Sequence, residues 1–377
     1  MIQRDIEYSG RYIMWNKTVL MNFSGIYPQE DCFKEQGTWL DMTDLKGVNC
    51  YCTEEAGEII RQRIRKFRGE GIHFLDSGNY HYLSKFWLEK IQEPFALLVF
   101  DHHTDMQEAA FFGLLSCGSW VREVLDTNEN LRDVCIAGPS LSAFAECQAE
   151  ERGVTAVAEE ELSQNGEEKL LDWLKSSQLP LYLSIDKDIL AEEEARTNWD
   201  QGQVSLKQLL NWIKLAFAHR RILGVDVCGE NPQDTALPPK EEDLKINRRT
   251  NAALWNCLQE ALEMQKICEE ESRKLDEKFL SSKQESLKLD IALKRYFEGG
   301  MKYASYLSLR IRPAGEQLIR EGENRTLKRF LKAFPVDGAV LEDLLLKAEK
   351  YKNTEAQLLL LQKKREVQGF QEESWEL

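Results

Sequence analysis

The stretch from Phe95 to Asp105, FALLVFDHHTD, constrains the fold of this chain more than any other segment. An apolar run of high strand propensity leads directly into Asp101, His103 and Asp105. Such runs are typical of strands buried on both faces of a parallel sheet, and ligand sites in open α/β sheets lie beyond the carboxyl ends of these strands. Two carboxylates and an imidazole form a ligand set suited to Mn²⁺, Fe²⁺ or Zn²⁺. For this stretch alone, a solvated acidic turn is the alternative interpretation.

Two further segments end in the same way. In Leu181–Asp188 an apolar strand leads into Asp186 and Asp188, and carboxylates at i and i+2 project from one face of a strand. In Gly71–His81 a short apolar strand is followed by a glycine turn and then by a histidine. Because the pattern recurs, it favours a metal site over an isolated acidic turn.

Strand and helix patterns alternate up to about residue 240. Val134–Gly138 and Ile222–Val227 are predicted to be buried strands, and Ser205 is predicted to be the N-cap of a helix with an apolar stripe. This alternation indicates βαβ units and a mainly parallel sheet, so the predicted fold class is α/β.

The amino-acid composition changes after residue 240, which suggests that a linker and a further domain follow the α/β domain. Residues 264–290 are rich in Glu, Lys, Asp, Ser and Gln, and the chain is helical in pattern from about 291 onward. Residues 317–331 and 346–360 resemble two copies of a helix–turn–helix, offset by roughly 29 residues. We therefore predict an α/β domain over 1–245, a charged helix or linker over 246–290, and a small all-α domain over 291–377.

The charge and the composition limit the predicted cellular location of the protein and the kinds of partner that it can bind. The net charge of −15 argues against binding to nucleic acid or to anionic membranes. No segment approaches the ~18 consecutive apolar residues of a membrane span, and the first residues lack the apolar region of a signal peptide. The nine cysteines are scattered and odd in number, which favours reduced thiols. We predict a cytoplasmic protein.

The polar strand ends together resemble the metal motifs of the ureohydrolase family, which includes arginase, agmatinase and formiminoglutamase. The family's Gly-Gly-Asp-His, Asp-Ala-His-x-Asp and Ser-Ile-Asp-x-Asp segments correspond here to Gly78–His81, Asp101–Asp105 and Ser184–Asp188. The resemblance covers roughly residues 70–235 and leaves the C-terminal helices as an addition. It implies an arginase/deacetylase-like three-layer fold and a binuclear manganese centre.

The resemblance also implies a role for each ligand. His81 and Asp105 would bind one ion, His103 and Asp188 the other, and Asp101 and Asp186 would bridge the two. Two Mn²⁺ ions, or alternatively Zn²⁺ or Fe²⁺, would then activate a shared water as the nucleophile. By this analogy Asp101, His103 and Asp186 are counted among the catalytic residues.

Two departures from the family concern catalysis. Where arginases carry a histidine that is thought to relay a proton to the leaving amine, this chain has Cys117. Cys117 is either a small buried residue beside the site or a catalytic thiol. His102 is an alternative proton carrier, but its side chain would face away from the ligands if the strand continued that far, which favours a buried histidine in the core or beside the ligands.

Further departures concern the substrate. The family's Glu-x-Asn-Pro, whose glutamate contacts a guanidinium, appears here with Gly229 in the glutamate's place and Glu230 one residue late. In a strand such a shift turns the side chain to the other face, although a bulge or loop would restore it. Glu230 is kept as a catalytic candidate, and Asp226 as a residue that supports the ligands. The loop 197–202 provides Asn198, Trp199 and Asp200 as candidate substrate contacts.

The sequence therefore predicts a binuclear manganese hydrolase of a linear C–N bond, in an amidine, guanidine or amide other than arginine. One alternative is a single-zinc amide deacetylase of the same fold, and the other is an inactive metal-binding scaffold. The predicted partner is a small-molecule substrate. The C-terminal helices are predicted to serve either a homo-oligomer or a protein partner.

Overall fold

The computed structural model describes residues 18–29, 37–108, 114–162, 166–231 and 240–368. These residues belong to two compact units, Met1–Lys266 and Ile267–Leu377. The first unit contains all of the described strands, and the second contains helices. No helix among the described residues combines the length and the apolar character that a membrane span requires.

The strands of the first unit coincide with the apolar runs of the sequence. In chain order they are β1 Thr18–Asn22, β2 Gly37–Asp41, β3 Tyr51–Cys52, β4 Gly71–Phe74, β5 Phe95–Phe100, β6 Leu115–Ser116, β7 Leu131–Ala137, β8 Val154–Val157, β9 Leu181–Asp186 and β10 Ile222–Cys228. Eight of them form one sheet in the order β2-β1-β4-β10-β9-β5-β7-β8. Every neighbouring pair in that sheet is parallel. The short strands β3 and β6 form a separate antiparallel pair.

The helices follow the predicted alternation. In chain order they are α1 Glu54–Ile64, α2 Leu83–Leu88, α3 Trp120–Thr127, α4 Leu141–Glu146, α5 Glu159–Leu162, α6 Gly166–Ser176, α7 Leu206–His219, α8 Glu241–Ser281, α9 Glu285–Phe297, α10 Ala304–Ser308, α11 Ile311–Glu321, α12 Asn324–Ala333, α13 Gly338–Lys350 and α14 Thr354–Gln368. The Ser205 side chain accepts a hydrogen bond from Gln208 N and forms a capping box, which fixes the start of α7.

Helices cover both faces of the parallel sheet. Along β5 the side chains alternate between two cores: Leu98 and Phe100 pack with α6, α7 and α8, whereas Leu97 and Val99 pack with α1, α2 and α3. Both cores are formed by large apolar residues that are almost completely buried. This arrangement explains why the strand is a continuous apolar run, and it confirms the predicted α/β class.

The second unit begins at Ile267 and has its own apolar core. The helix α8 is continuous through residue 245, where the sequence analysis places a domain boundary. In the segment predicted to be a charged helix or linker, Phe279 of α8 packs edge-on against Tyr303 and Tyr306. The carboxylate of Asp276 also accepts a hydrogen bond from Tyr303. A few well-placed side chains thus anchor a segment whose overall composition is that of a solvated helix.

Candidate metal centre

The candidate site lies at the carboxyl ends of four adjacent strands. Asp101 directly follows β5, Asp186 ends β9, and Cys228 ends β10. His81 follows β4 after a short 3₁₀ turn over Gly78–Tyr80. Because β4, β10, β9 and β5 are neighbours in the sheet, residues far apart in sequence meet at one edge.

One group of ligand atoms surrounds the imidazole of His81. The Nδ1 atom of His81 lies 3.0 Å from Asp101 Oδ2, 2.9 Å from Asp105 Oδ2 and 3.6 Å from Asp186 Oδ2. These four residues are almost completely buried. Ligand atoms bound to one ion at about 2.1 Å are about 3 Å apart, so the spacing suits a single cation.

A second group surrounds His103. The Nδ1 atom of His103 lies 2.9 Å from Asp188 Oδ2 and 3.5 Å from Asp101 Oδ1. The two oxygens of Asp101 therefore face different groups, as expected of a bridging carboxylate. The structure brings all six residues predicted as metal ligands into these two groups.

Hydrogen bonds from neighbouring residues hold the carboxylates in place. The indole Nε1 of Trp120 donates to Asp105 Oδ2 at 2.6 Å. The backbone N–H of Asp188 donates to Asp186 Oδ1 at 3.0 Å, and that of His102 donates to Asp188 Oδ1 at 3.0 Å. Such partners fix the orientation of ligating side chains.

The carboxylates of the cluster destabilise one another's charge. Burial, together with the charge of Asp101, raises the pKa of Asp105 to about 6. Burial and nearby carboxylates also raise the pKa of Asp186 and of Asp188. Burial opposes ionisation of Asp101 as well, but hydrogen bonds with His103 and His81 outweigh it and lower the pKa of Asp101. A bound cation is the partner that would relieve this concentration of negative charge.

The protonation of His81 provides a test of whether the residues fit a metal. Its Nε2 lies 2.8 Å from Ser184 Oγ, whereas its buried Nδ1 lies within 3.0 Å of oxygens of Asp101 and Asp105 but makes no well-aligned hydrogen bond with them. With the Nε2 proton donated to Ser184, the imidazole can offer the Nδ1 lone pair to a cation at the point where three carboxylates converge. That is the form of histidine that binds a metal, so the residues fit the group.

A cavity of ≈ 660 Å³ opens onto the two groups. Its size is in the range that holds small molecules. Trp199 and Asp200 line it, as predicted for substrate contacts, and Asp200 Oδ1 lies 3.1 Å from His103 Nε2. Asn198 is not among the lining residues, because its side-chain Nδ2 donates to Asn79 Oδ1 at 2.8 Å and fixes the loop.

Cys117 and His102 both line this cavity. A side-chain hydrogen bond with Cys50, followed by burial, raises the pKa of the Cys117 thiol, which disfavours the thiolate that a nucleophile requires. His102 does not face away from the site, because β5 ends at Phe100 and the alternation of a strand does not extend to it. Its Nε2 lies 3.8 Å from Asp200 Oδ2.

Glu230 is not among the lining residues. Its Oε1 accepts a hydrogen bond from Lys187 Nζ at 2.6 Å and another from Asn251 Nδ2 at 2.8 Å, and both charged side chains are almost completely buried. A side chain at Gly229 would place its Cβ 2.4 Å from Asp186 Oδ1, and the backbone φ of +91° further disfavours any other residue. The one-residue shift therefore removes the family's carboxylate from the cavity.

Around the site, one predicted residue has a different role, and two residues were not predicted. Asp226, predicted to support the ligands, instead contacts His73 and Tyr182, with its Oδ1 at 2.8 Å from each partner. Trp120 and Cys228 were missed, although Cys228 ends its apolar strand as Asp186 ends its own. That shared position was the available signal, but only the pairing of β9 with β10 shows that the two side chains meet.

Comparisons with known proteins find a matching family model and several similar proteins. The model of the arginase family matches residues 27–237. An uncharacterized protein of Thermotoga maritima is 31% identical over 236 residues, which are 63% of this chain and 88% of that protein. The formimidoylglutamase of Bacillus subtilis subsp. subtilis str. 168 is 14% identical, with a TM-score of 0.49 and coverage of 66% of this chain and 86% of that one. The proclavaminate amidino hydrolase of Streptomyces clavuligerus is 18% identical, with a TM-score of 0.48 and coverage of 63% and 90%.

The family match confirms the predicted resemblance and extends it towards the N-terminus. It begins at residue 27, whereas the sequence motifs were recognised only from about residue 70. The structure explains the difference, because β2 pairs with β1 at the edge of the same parallel sheet. With its metal motifs on adjacent strand ends and the match over residues 27–237, the chain belongs to the arginase family.

Proposed function

We propose that this protein is a hydrolase that uses two divalent ions to cleave a linear C–N bond in an amidine, a guanidine or an amide. The ions are Mn²⁺, with Zn²⁺ or Fe²⁺ as alternatives. The observation that supports the proposal is the convergence of four buried carboxylates and two imidazoles into two ligand groups that share Asp101. A centre with a single zinc ion would not account for the second ligand group, around His81.

Two sets of residues would hold the two ions. His81, Asp101, Asp105 and Asp186 would hold one ion, and His103 and Asp188 would hold the other with the shared carboxylates. When bound, the ions would lower the pKa of a water so that hydroxide is available near pH 7.

We assign proton transfer to the leaving amine to a histidine and an aspartate at the cavity wall. Asp200 is close to both His103 and His102 at the cavity wall, with the distances given above. Burial would raise the pKa of Asp200, but a hydrogen bond with His103 lowers it, so Asp200 is ionised at neutral pH and can stabilise a protonated imidazole. The pair of His102 and Asp200 is thus placed to give a proton to the leaving nitrogen, a role that Cys117 fills poorly.

The substrate is not arginine. The position at which relatives place a glutamate against the guanidinium is Gly229, and Asp186 and the backbone of Lys187 occupy the space that a side chain would need. Glu230 is bound to Lys187 and is unavailable for this contact. Trp199 and Asp200 are the proposed contacts for a small-molecule substrate.

The deciding experiment measures metal content by elemental analysis after purification with Mn²⁺. We expect close to two ions per chain in the parent protein, and a loss of both in the Asp101→Asn and Asp186→Asn variants, because Asp101 is shared by both groups and Asp186 is the second bridging carboxylate that the family resemblance implies. Asp133→Asn, a control on the neighbouring strand β7, is expected to keep both ions. Amidines, guanidines and amides are then screened for hydrolysis.

Other metal contents would contradict the proposal in distinct ways. One equivalent of zinc with amide hydrolysis would support a deacetylase instead. Absence of metal from the parent protein would leave a scaffold as the better interpretation. A cytoplasmic location, the absence of nucleic-acid binding, and assembly through the C-terminal helices stay predictions.

A further inference from the structure

The thiol of Cys228 lies within the first ligand group, although no motif of the family places a cysteine there. Cys228 is the last residue of β10, and its register partner in β9 is Asp186. Paired residues of adjacent parallel strands project from the same face of a sheet, so the two side chains are neighbours. The Sγ atom lies 3.0 Å from Asp186 Oδ2, and the cysteine is 1% exposed.

The imidazole of His81 is an independent sign of a ligand at the same place. Its buried Nδ1 makes no well-aligned hydrogen bond, and oxygens of Asp101 and Asp105 converge on it at 3.0 and 2.9 Å. A nitrogen of His81, an oxygen of Asp186 and the sulfur of Cys228 all lie within 4.8 Å of one another. Bonds of about 2.0 Å to nitrogen or oxygen and about 2.3 Å to sulfur bring the ligands of one ion to such mutual distances.

We propose that Cys228 is a thiolate ligand of the ion held by His81, and that it makes this position selective for a thiophilic metal. This inference rests on the metal centre of the proposed function. Thiolate and imidazole favour Zn²⁺ or Fe²⁺, whereas carboxylate-rich sites suit Mn²⁺. The His103 group has one imidazole, carboxylates and no sulfur among its described ligands, so it retains a preference for Mn²⁺. The centre is therefore chemically asymmetric.

The asymmetry gives each position a different task. A thiolate donates more charge to its ion than a carboxylate does, so an ion at the His81 position would be held firmly and would be the poorer Lewis acid. His103 contacts Trp199 and Asp200 at the cavity wall, so an ion held by the His103 group would be the one to polarise a substrate bound there. Loss of the cysteine would make the two positions alike.

The test uses cobalt as an optical probe in the full-length protein. The chain is loaded with Co²⁺, the bound metal is counted by elemental analysis, and the near-ultraviolet band of thiolate-to-cobalt charge transfer is recorded. We expect the band in the parent protein, its loss in Cys228→Ser, and its retention in Cys117→Ser, which alters a cysteine that lines the same cavity. In competition, the preference of the parent protein for Zn²⁺ over Mn²⁺ should fall about tenfold or more in Cys228→Ser.

A measurement on the parent protein covers the case in which Cys228→Ser does not fold. X-ray absorption at the zinc edge should show a sulfur neighbour at about 2.3 Å. Bound cobalt or zinc with only nitrogen and oxygen neighbours would overturn the role of Cys228 and leave the proposed hydrolase intact; Cys228 would then be a hydrogen-bond donor to Asp186. Failure to bind cobalt or zinc would overturn the role of Cys228, and only the additional failure to bind Mn²⁺ would overturn the proposed hydrolase.

Discussion

The ion pair of Lys187 and Glu230 shows how single residues reshape a familiar site. Lys187 stands between the ligands Asp186 and Asp188, yet its side chain is directed to Glu230 and Asn251. Both charges are removed from water, and each is compensated by the other and by amide groups. A buried pair of this kind adds little net stability, but the loss of one partner is costly because the other charge stays buried.

We expect the Glu230→Gln variant to lose about 3–5 kcal/mol in its free energy of unfolding, measured by urea denaturation, because it leaves the Lys187 charge uncompensated. The double variant Lys187→Met/Glu230→Gln should lose less than the single variant. As a control, Asp44→Asn breaks the exposed Arg63–Asp44 pair, which has the same 2.6 Å separation, and should have only a small effect. A change in KM with unaltered stability would instead place Glu230 in contact with substrate.

Four helices of the second unit, α11 to α14, form two copies of a helix pair. The pairs α11–α12 and α13–α14 correspond to the two sequence copies predicted at an offset of roughly 29 residues. Equivalent positions are buried in both copies, as shown by Leu331 and Leu360. The equivalent residues Asn324 and Asn353 bind each other, with Asn353 Nδ2 donating to Asn324 Oδ1 at 2.8 Å.

Asn353→Ala is expected to lower the free energy of unfolding of the second unit by about 1–3 kcal/mol. The Oδ1 of Asn353 caps α14 by accepting from Ala356 N, and its Nδ2 also donates to the carbonyl of Ile319. The measurement is urea denaturation followed by circular dichroism. The matched control is Gln362→Ala, an exposed position on the same helix. Equal stability of both variants would show that the asparagine does not join the repeats.

The elements also show what the sequence could and could not predict. Apolar runs that end in acids or histidine identified β5, β9 and the six candidate metal ligands, because buried parallel strands and their polar ends have a local signature. The strand β2 was not identified, since its side chains alternate between exposed and partly buried and lack such a run. The contact of Cys228 with Asp186 depends on strand register, which is set by the whole sheet and is not a local property.

At the scale of the whole molecule, the chain consists of two compact units with separate cores, and the ligand groups belong to the first unit alone. A ligand that binds only the folded state stabilises by about 2.7 kcal/mol when its free concentration is 100 times its dissociation constant. Metal binding should therefore stabilise the first unit and leave the stability of the second unit unchanged.

Calorimetry of the full chain is expected to show two unfolding transitions. Addition of Mn²⁺ to chelator-treated protein should raise the temperature of one transition and leave the other unchanged. The Asp101→Asn variant, which lacks the shared carboxylate, should show no metal-dependent shift. A single transition that moves as a whole would indicate that the two units unfold together.

The position of β10 in the sheet has a consequence for biosynthesis. Although β10 is the last strand of the sheet in chain order, it lies between β4 and β9 and joins β2-β1-β4 to β9-β5-β7-β8. Until the ribosome has released residue 228, these two halves have no strand between them, and β4 and β9 each present an open edge. The ligands of the first group come from both halves, so a nascent chain cannot complete the centre. Metal binding at the proposed centre would therefore follow closure of the sheet.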